Sequence, residues 1–470
     1  MQQVITVLIV AAYVAVLTIV ALRARGAGEF GEFSVARRAL PLALVFGSLS
    51  ATYVGPAYSI GFVGRGFKSG LVFLLFGLAF AAQNILVAQF VAPRLRALSG
   101  CHTLGDVIGL KYNRACQVIA GLISVGLCTM FGSVMAAAGG EIITGIVDLP
   151  MWSAVVIVVG ITTLYTTFGG LRASVVTDAF QFTAFAILLP GVFVWLLLRN
   201  VEVSSTLFSR ELLAATSDGW ASMTRLEILG WITAFFLGET LIPPSANRAL
   251  ASKSTATARN GFLLAGGFSV LWFMVMIGLG TVARGLLSGR APEEDQVLLS
   301  LVHATLSTEW YALILVVLIS IVMSSLDSLL NAGAVAFTQD LVRPLRKIDD
   351  GQALAIGRCA TVFLALVAVA LGIWDAGTSI LEALSKCYSI WAPAILPALI
   401  LGLWIKRPVP LAGMLSMVGG TVTALVFIAI FTFIHPDVPD VLAILPALCV
   451  SLLGYLVGHL FGRSPDGRRV

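Results

Sequence analysis

Charge is what this sequence has least of. Asp, Glu, Lys and Arg make up 11% of its 470 residues and hydrophobic residues 59%, whereas a soluble domain carries roughly 25% charged residues. A soluble fold of this length has no core large enough to hide so much apolar surface, so lipid must be the solvent for much of it. Paired cysteines are missing too. Cys101, Cys116, Cys128, Cys359, Cys387 and Cys449 lie mostly in apolar runs without CxxC spacing, and read as small buried hydrophobes rather than a disulfide framework or a metal site. The four histidines, His102, His303, His435 and His459, fall in loops or near the ends of apolar runs. No nucleophile–base spacing stands out, which argues against an enzyme. No filter-like loop repeats, which argues against a channel. The formal net charge of +5 is spread in short basic clusters between apolar runs, a sign of membrane topology rather than of nucleic-acid binding.

Apolar runs are what the chain has instead. A hydrocarbon core of roughly 30 Å needs about 20 apolar residues per helix. On that ruler thirteen spans are expected, at about 4–22, 41–64, 70–93, 115–147, 151–170, 173–199, 225–247, 258–288, 309–341, 354–375, 379–404, 409–434 and 439–462. The first has no basic region before it and no clear small-residue cleavage site, so it is expected to be a retained helix. The longest connections, near 201–224 and 287–308, are too short for a separate soluble domain. With the N-terminus outside, 21 of the 29 Lys and Arg fall on the inner side and seven on the outer, leaving Lys386 within a span. The inner set includes Arg25, Arg172, Arg248, Arg463, Arg468 and Arg469, and the outer set Arg65, Lys68, Arg284 and Arg290. Adding or removing one helix scrambles that split. The expectation is therefore a multi-pass protein of the inner or plasma membrane, N-terminus outside and C-terminus cytoplasmic.

Interruptions within the spans are more informative than their number. The second span holds Gly55-Pro56 at its middle, and the seventh holds Gly238 and then Pro243-Pro244. Proline has no amide proton and clashes with the preceding turn, so helical bonding must fail around both places. Each of these spans opens a block of five (spans 2–6 and 7–11). A single such helix is read most simply as a proline kink. A matched pair in two halves points to a midplane binding site in an inverted-repeat transporter.

Polar residues gather near those breaks. The ninth span carries Ser324, Ser325, Asp327, Ser328 and Asn331 in an otherwise apolar helix, a costly set unless it faces a cavity or itself. Sodium is a hard cation that takes oxygen ligands, and adjacent hydroxyls with unwound carbonyls make a neutral cage for it. For an isolated serine, helix packing or bonding to the preceding turn is the simpler reading. Asp178 lies near the start of the sixth span, where it either satisfies the helix dipole or serves a cation. Glu239 and Lys386 are unusual charges in the seventh and eleventh spans. Either they pair with each other and are structural, or Glu239 favours a cationic or amine-bearing solute and Lys386 a carboxylate.

Three segments carry a family resemblance. Tyr165, Phe168-Gly169-Gly170-Leu171-Arg172-Ala173, Thr177-Asp178 and Gln181 form one; Met323-Ser324-Ser325-Leu326-Asp327-Ser328 with Thr338-Gln339-Asp340 forms the second. The broken second span, with Gly61, Gly64 and Gly70 at its outer end, is the third. In this order and on this layout the chain resembles the sodium:solute symporter family, which includes proline, sialic acid, pantothenate and sugar symporters. The resemblance implies an all-α leucine-transporter-like fold with two inverted five-helix repeats. These would occupy 41–200 and 225–405, flanked by a peripheral N-terminal helix with its inner loop in 1–40 and by two peripheral helices with a short tail in 406–470.

It further implies sodium-coupled symport of a small polar organic solute, with Na+ as the co-transported ion and no organic cofactor. Solute and bilayer are the expected partners, and no obligate protein partner is inferred. Matched residue by residue, the common sodium site would use the carbonyls of Ala51, Val54 and Ile321 and the hydroxyls of Ser324 and Ser325. Asp178 with Ser328 would hold a second ion in those members that bind one, while Asp327 is atypical and has no assigned role. The solute pocket would lie between spans 2, 3, 4, 7 and 11. Its candidates are Thr52, Tyr53, Tyr58, Gln83, Asn84, Trp231, Phe235, Glu239, Tyr388 and Ser389, with Trp231 as an aromatic lid. Proline symporters carry an aspartate where this chain has Tyr53, which departs from proline recognition. The alternatives are the same fold driven by protons, with Asp178 or Glu239 as carrier, or a transporter-like membrane sensor. The sensor is disfavoured because only a short tail follows the last span.

Overall fold

The computed structural model describes residues 2–24, 28–199, 210–287 and 292–462. Arg25, Arg290, Arg463, Arg468 and Arg469 of the charge count lie outside the described residues, as do residues 201–209 and 288–291 of the two long connections. Among the described residues the structure is helical without a strand, apart from one isolated bridge between Leu40 and Ser252. Several helices begin on side-chain caps: Thr103, Asn113 and Ser254 each accept a backbone N–H, and Thr224 with Glu227 and Asp349 with Gln352 form reciprocal capping boxes.

Ten helices among the described residues are long and apolar enough to cross a bilayer, against thirteen expected spans. The difference sits where the sequence is irregular. The second and seventh spans are each split, at Val54–Pro56 and at Gly238–Ile242, so neither forms one unbroken helix. The fifth and sixth are two helices that abut without a loop within the 49-residue stretch Met151–Arg199, joined at Gly170, whose φ 59° and ψ −164° are not helical. Straight, that stretch would be roughly 74 Å long. Instead Tyr165 Oη donates to Met323 O at 3.4 Å, while Gln181 Nε2 donates to Ser320 O at 3.2 Å. Residues on either side of Gly170 thus reach nearly the same level of one helix, and the chain folds back at that glycine. The shortfall from thirteen thus falls at the two split spans and at the fold-back.

Burial orders the helices. The ninth span, Thr308–Leu345, is 94% buried over its most apolar window, whereas the first is 17% and Pro410–Phe433 is 22% buried. The ninth is therefore the axis around which the others pack, and the first and twelfth turn most of their apolar surface outward. Four of the six cysteines are buried as expected, while Cys359 and Cys449 are exposed.

The connections separate into two layers. In one, Arg172 pairs with Glu32 at 2.8 Å, Arg38 donates to Leu98 O at 2.6 Å, Arg96 bonds Ser252 O, and Thr103 Oγ1 donates to Asp340 at 2.7 Å. Leu40 and Lys253 add backbone bonds across the same layer. His102 lies there against Ser34 Oγ at 2.6 Å, and burial pushes its pKa down to about 4, which keeps the ring neutral. In the other layer Arg65 bridges Glu294 and Glu382, Lys68 meets Glu294 at 3.2 Å, Arg284 donates to Phe67 O at 3.1 Å, and Lys386 pairs with Asp440 at 3.2 Å. Alternate connections meeting at opposite ends is what the expected layout requires.

Gly170 is the residue that this fold-back leaves no choice about. Its φ lies in the left-handed region, and a Cβ there would approach Phe33 to 2.7 Å. Gly170→Ala is expected to destabilise the purified protein by about 2–3 kcal/mol, read as a lowered thermal midpoint. An unchanged midpoint contradicts the fold-back at this position.

Candidate functional site

The second span begins as a regular helix, Leu42–Tyr53, and leaves it at Val54 (φ −107°, ψ 32°). Pro56 supplies no amide proton, and the chain re-enters a wider helical wind over Ala57–Gly61. In a bilayer the freed carbonyls need donors. Ser59 Oγ donates to Val54 O at 2.6 Å and itself accepts from Trp272 Nε1 at 3.2 Å, while Gly55 O accepts from the amides of Tyr58 and Ser59 at 3.0 Å. The open face of this break looks at the ninth span: a Cβ on Gly55 would sit 3.1 Å from Ser325 Oγ. That hydroxyl is buried and has no hydrogen-bond partner.

The seventh span breaks differently. Its outer half, Arg225–Leu237, ends at Gly238, Leu241 takes a left-handed φ of 52°, and the helix restarts at Pro243. Trp391 Nε1 donates to Thr240 O at 2.9 Å and satisfies one carbonyl of the break. A Cβ on Gly238 would overlap the Tyr388 side chain, so glycine there lets the eleventh span close on the break.

Between the two breaks lies a fully buried polar cluster. Asp178 accepts from Ser324 Oγ at 2.5 Å through one oxygen and from Ser48 Oγ at 2.5 Å through the other. Arg248 pairs with it at 3.1 Å, both side chains being wholly buried. The same guanidinium donates to Ser48 Oγ at 2.9 Å, Pro244 O at 2.9 Å and Ser328 Oγ at 2.5 Å. The charge count treats Arg248 as an inner-loop residue, and the structure corrects this. It is an internal cation at the end of the seventh span, standing among the residues expected to hold a second ion. Asp327 finds its role here too. It accepts from Ser174 Oγ at 2.9 Å, Ser328 Oγ at 3.1 Å and Thr177 Oγ1 at 3.4 Å, and so ties the sixth span to the ninth.

A narrow cavity adjoins the Gly55–Ser325 contact. Thr52, Gly55, Tyr58, Phe131, Met135, Glu239, Ser325, Leu329 and Tyr388 are on its walls. Of the expected pocket residues, Thr52, Tyr58, Glu239 and Tyr388 therefore meet. Tyr53 instead packs edge-on against Phe80 at 5.2 Å. Gln83, Asn84 and Ser389 are buried away from the walls, each with one unpartnered oxygen. Trp231 and Phe235 stack outward from the cavity with Phe73 and Phe76, and Trp231 also lines a depression on the Arg65–Glu382 side. Phe131 and Met135 of the fourth span were not singled out from sequence. Glu239 and Lys386 do not pair: Lys386 goes to Asp440, and Glu239 accepts from Tyr388 Oη.

Comparison with known proteins agrees with the fold. The sequence model of the Sodium:solute symporter family matches residues 33–420. The chain is 24% identical to a sodium/proline symporter of Staphylococcus aureus, over 97% of this chain and 92% of that one. It is 25% identical to sodium/glucose cotransporter 2 of Rattus norvegicus, over 85% and 67% respectively. It also superimposes on a Na+-coupled sialic acid symporter solved in a substrate-bound outward-open state. The TM-score is 0.82 at 13% identity, and the match covers 99% of both chains.

Removing one member of a buried ion pair strands the other charge at a cost of about 3–5 kcal/mol. Asp178→Asn and Arg248→Gln are each expected to lose stability of that order. The double variant should lose clearly less than the sum, measured as thermal midpoints in a double-mutant cycle. Additive losses would show that the pair is not coupled.

Proposed function

The chain belongs to the sodium:solute symporter family, and from that premise we propose that it moves a small polar organic solute into the cell together with sodium by alternating access. The observation that carries this reading is the meeting of the Gly55 break with the buried, unpartnered Ser325 hydroxyl. An oxygen held in a dry interior without a donor is costly, and a hard cation relieves that cost. Ser324 lies one residue away with its hydroxyl on Asp178. The carboxylate therefore stands one hydroxyl removed from the proposed ion and supports its charge at a distance. The carbonyls of Ala51, Val54 and Ile321 complete the ligand set implied by the family. Val54 O is engaged by Ser59 in this structure, so ligation there requires that carbonyl to share or exchange its donor.

One sodium per cycle is favoured over two. Arg248 already supplies a positive charge to Asp178 and Ser328, and a second sodium there would have to displace it. The same ion pair weighs against Asp178 as a proton carrier. The positive-inside bias supports an outside N-terminus in the cell membrane. We assign the repeats to 41–200 and 225–405, each opening on a broken helix.

Coupling then follows from linkage. Sodium bound between the break and the ninth span stabilises the arrangement that also forms the solute cavity, since Gly55 and Ser325 are on its wall. Solute affinity rises with sodium, and by reciprocity sodium affinity rises with solute. The bundle of spans 2, 3, 7 and 8 would rock against the rest with both aboard. A potential of 100 mV contributes roughly 2.3 kcal/mol per charge moved inward.

Ser324→Ala with Ser325→Ala is expected to abolish sodium-stimulated uptake in cells or proteoliposomes while the protein still reaches the membrane. Sodium stimulation at wild-type strength in that variant refutes the site.

A further inference from the structure

Glu239 is a carboxylate at the break of the seventh span, 3% exposed, on the wall of the central cavity. Two hydroxyls serve it in series: Tyr388 Oη donates to its Oε2, and the Tyr58 and Tyr388 hydroxyls lie 2.6 Å apart. Hydroxyls hydrogen-bond a carboxylate but do not neutralise it. Among the described residues, no Lys or Arg is on the cavity wall. Lys386 of the eleventh span pairs with Asp440 at 3.2 Å, and Arg248 of the seventh pairs with Asp178 at 3.1 Å. When Glu239 is ionised, the described cavity wall supplies no cation to offset it.

The rings around that charge point the same way. Tyr58, Phe131 and Tyr388 are on the cavity wall, and Phe235 packs behind, 5.6 Å from Tyr58 and 6.5 Å from Tyr388 by ring centroids. Phe131 lies 5.7 Å from Tyr388. Aromatic faces are electron-rich and attract a cation that has shed its water. A carboxylate inside such a wall repels an anionic group and gains nothing from a sugar-like one beyond hydrogen bonds. Asp327 shows that a buried carboxylate can serve structure on hydroxyls alone, but Asp327 is enclosed between helices, whereas Glu239 is on the cavity wall, where a cationic ligand can offset its charge when it is ionised.

From this we infer that the transported solute carries an ammonium group, seated against Glu239 among the rings of Tyr58, Phe131 and Tyr388. The inference rests on the symport reading for its pocket but not for its charge logic. The ammonium can be the only charge of the solute, as in an amino alcohol, or half of a zwitterion whose carboxylate faces the Ser325 end. Both share the chemistry that Glu239 reads.

The test uses probes that differ only by nitrogen for carbon. Ethanolamine against 1-propanol and alanine against isobutyrate form the small pairs; choline against 3,3-dimethylbutanol and betaine against 3,3-dimethylbutyrate form the large ones. Binding to purified wild-type protein and to Glu239→Gln is read by thermal stabilisation, in sodium chloride and in potassium chloride. In wild type, the ammonium member of at least one pair is expected to bind about 30-fold tighter or more than its carbon isostere, the scale set by truncating a buried charge partner. In Glu239→Gln that ratio should fall towards one, while the stabilisation by sodium alone stays. Equal binding within every pair, or no ammonium probe binding at all, overturns the inference through wild type alone, even if the variant does not fold. A preference that survives in Glu239→Gln also overturns it. So does uptake that ignores sodium and collapses with a pH gradient unless Glu239 is replaced, because Glu239 would then be a proton carrier. An ammonium preference equally strong in potassium upholds the inference and refutes the sodium coupling, so the two failures are distinguishable.

Discussion

A peptide group inside a bilayer has no water to turn to, so every place where a helix unwinds must be answered by a side chain, a neighbouring backbone or an ion. Among the described residues two spans unwind partway along, at Val54–Pro56 and at Gly238–Ile242, and much of the polar interior is arranged around those two places. Ser59, backed by Trp272, answers the first, and Trp391 answers part of the second. Among the polar groups left without a partner is the Ser325 hydroxyl, which faces Gly55 of the first break on the cavity wall. That unpartnered oxygen beside the break is what connects the fold to the proposed transport.

The ninth span holds this arrangement in register. Ser324 binds Asp178 of the sixth span, Ser328 receives Arg248 from the seventh, and Asp327 takes hydroxyls from Ser174 and Thr177. The oxygen-rich face of one buried helix is thereby fastened to spans 6 and 7, and Gly55 of the second span closes on it. The Asp178–Arg248 pair carries no net charge, so it can sit in the interior without attracting a counter-ion. Asp327 and Glu239 are both held by hydroxyls, and place separates them: Asp327 fastens helices together, while Glu239 is on the cavity wall.

Much of the fold could be read from the sequence because membrane burial leaves coarse marks. Twenty-residue apolar runs, basic clusters between them and proline in mid-span each have one physical meaning, and Pro56 and Pro243 mark true breaks. The sequence was less informative about which face of each helix turns inward. In a run that is apolar all round, Phe131 and Met135 look the same as residues that touch lipid, so the fourth span's share of the cavity was invisible. Tyr53, Gln83, Asn84 and Ser389 were polar enough to suggest the pocket, yet they point elsewhere. Arg248 was misplaced for a related reason: it lies a few residues before Lys253 and so resembles a loop charge, although a break one turn earlier brings it inside opposite Asp178. Gly170 shows the converse, since the basic residue beside it correctly marked a turn that the helical pattern runs straight through.

The central claim is that sodium is held where the second span's break meets the ninth span. Amide hydrogen exchange followed by mass spectrometry, comparing the purified protein in sodium and in potassium at equal ionic strength, addresses it most directly. The account expects sodium-specific protection concentrated in the peptides that span Val54–Ser59 and Ile321–Ser328. Exchange in those two segments that is identical in the two salts would contradict it.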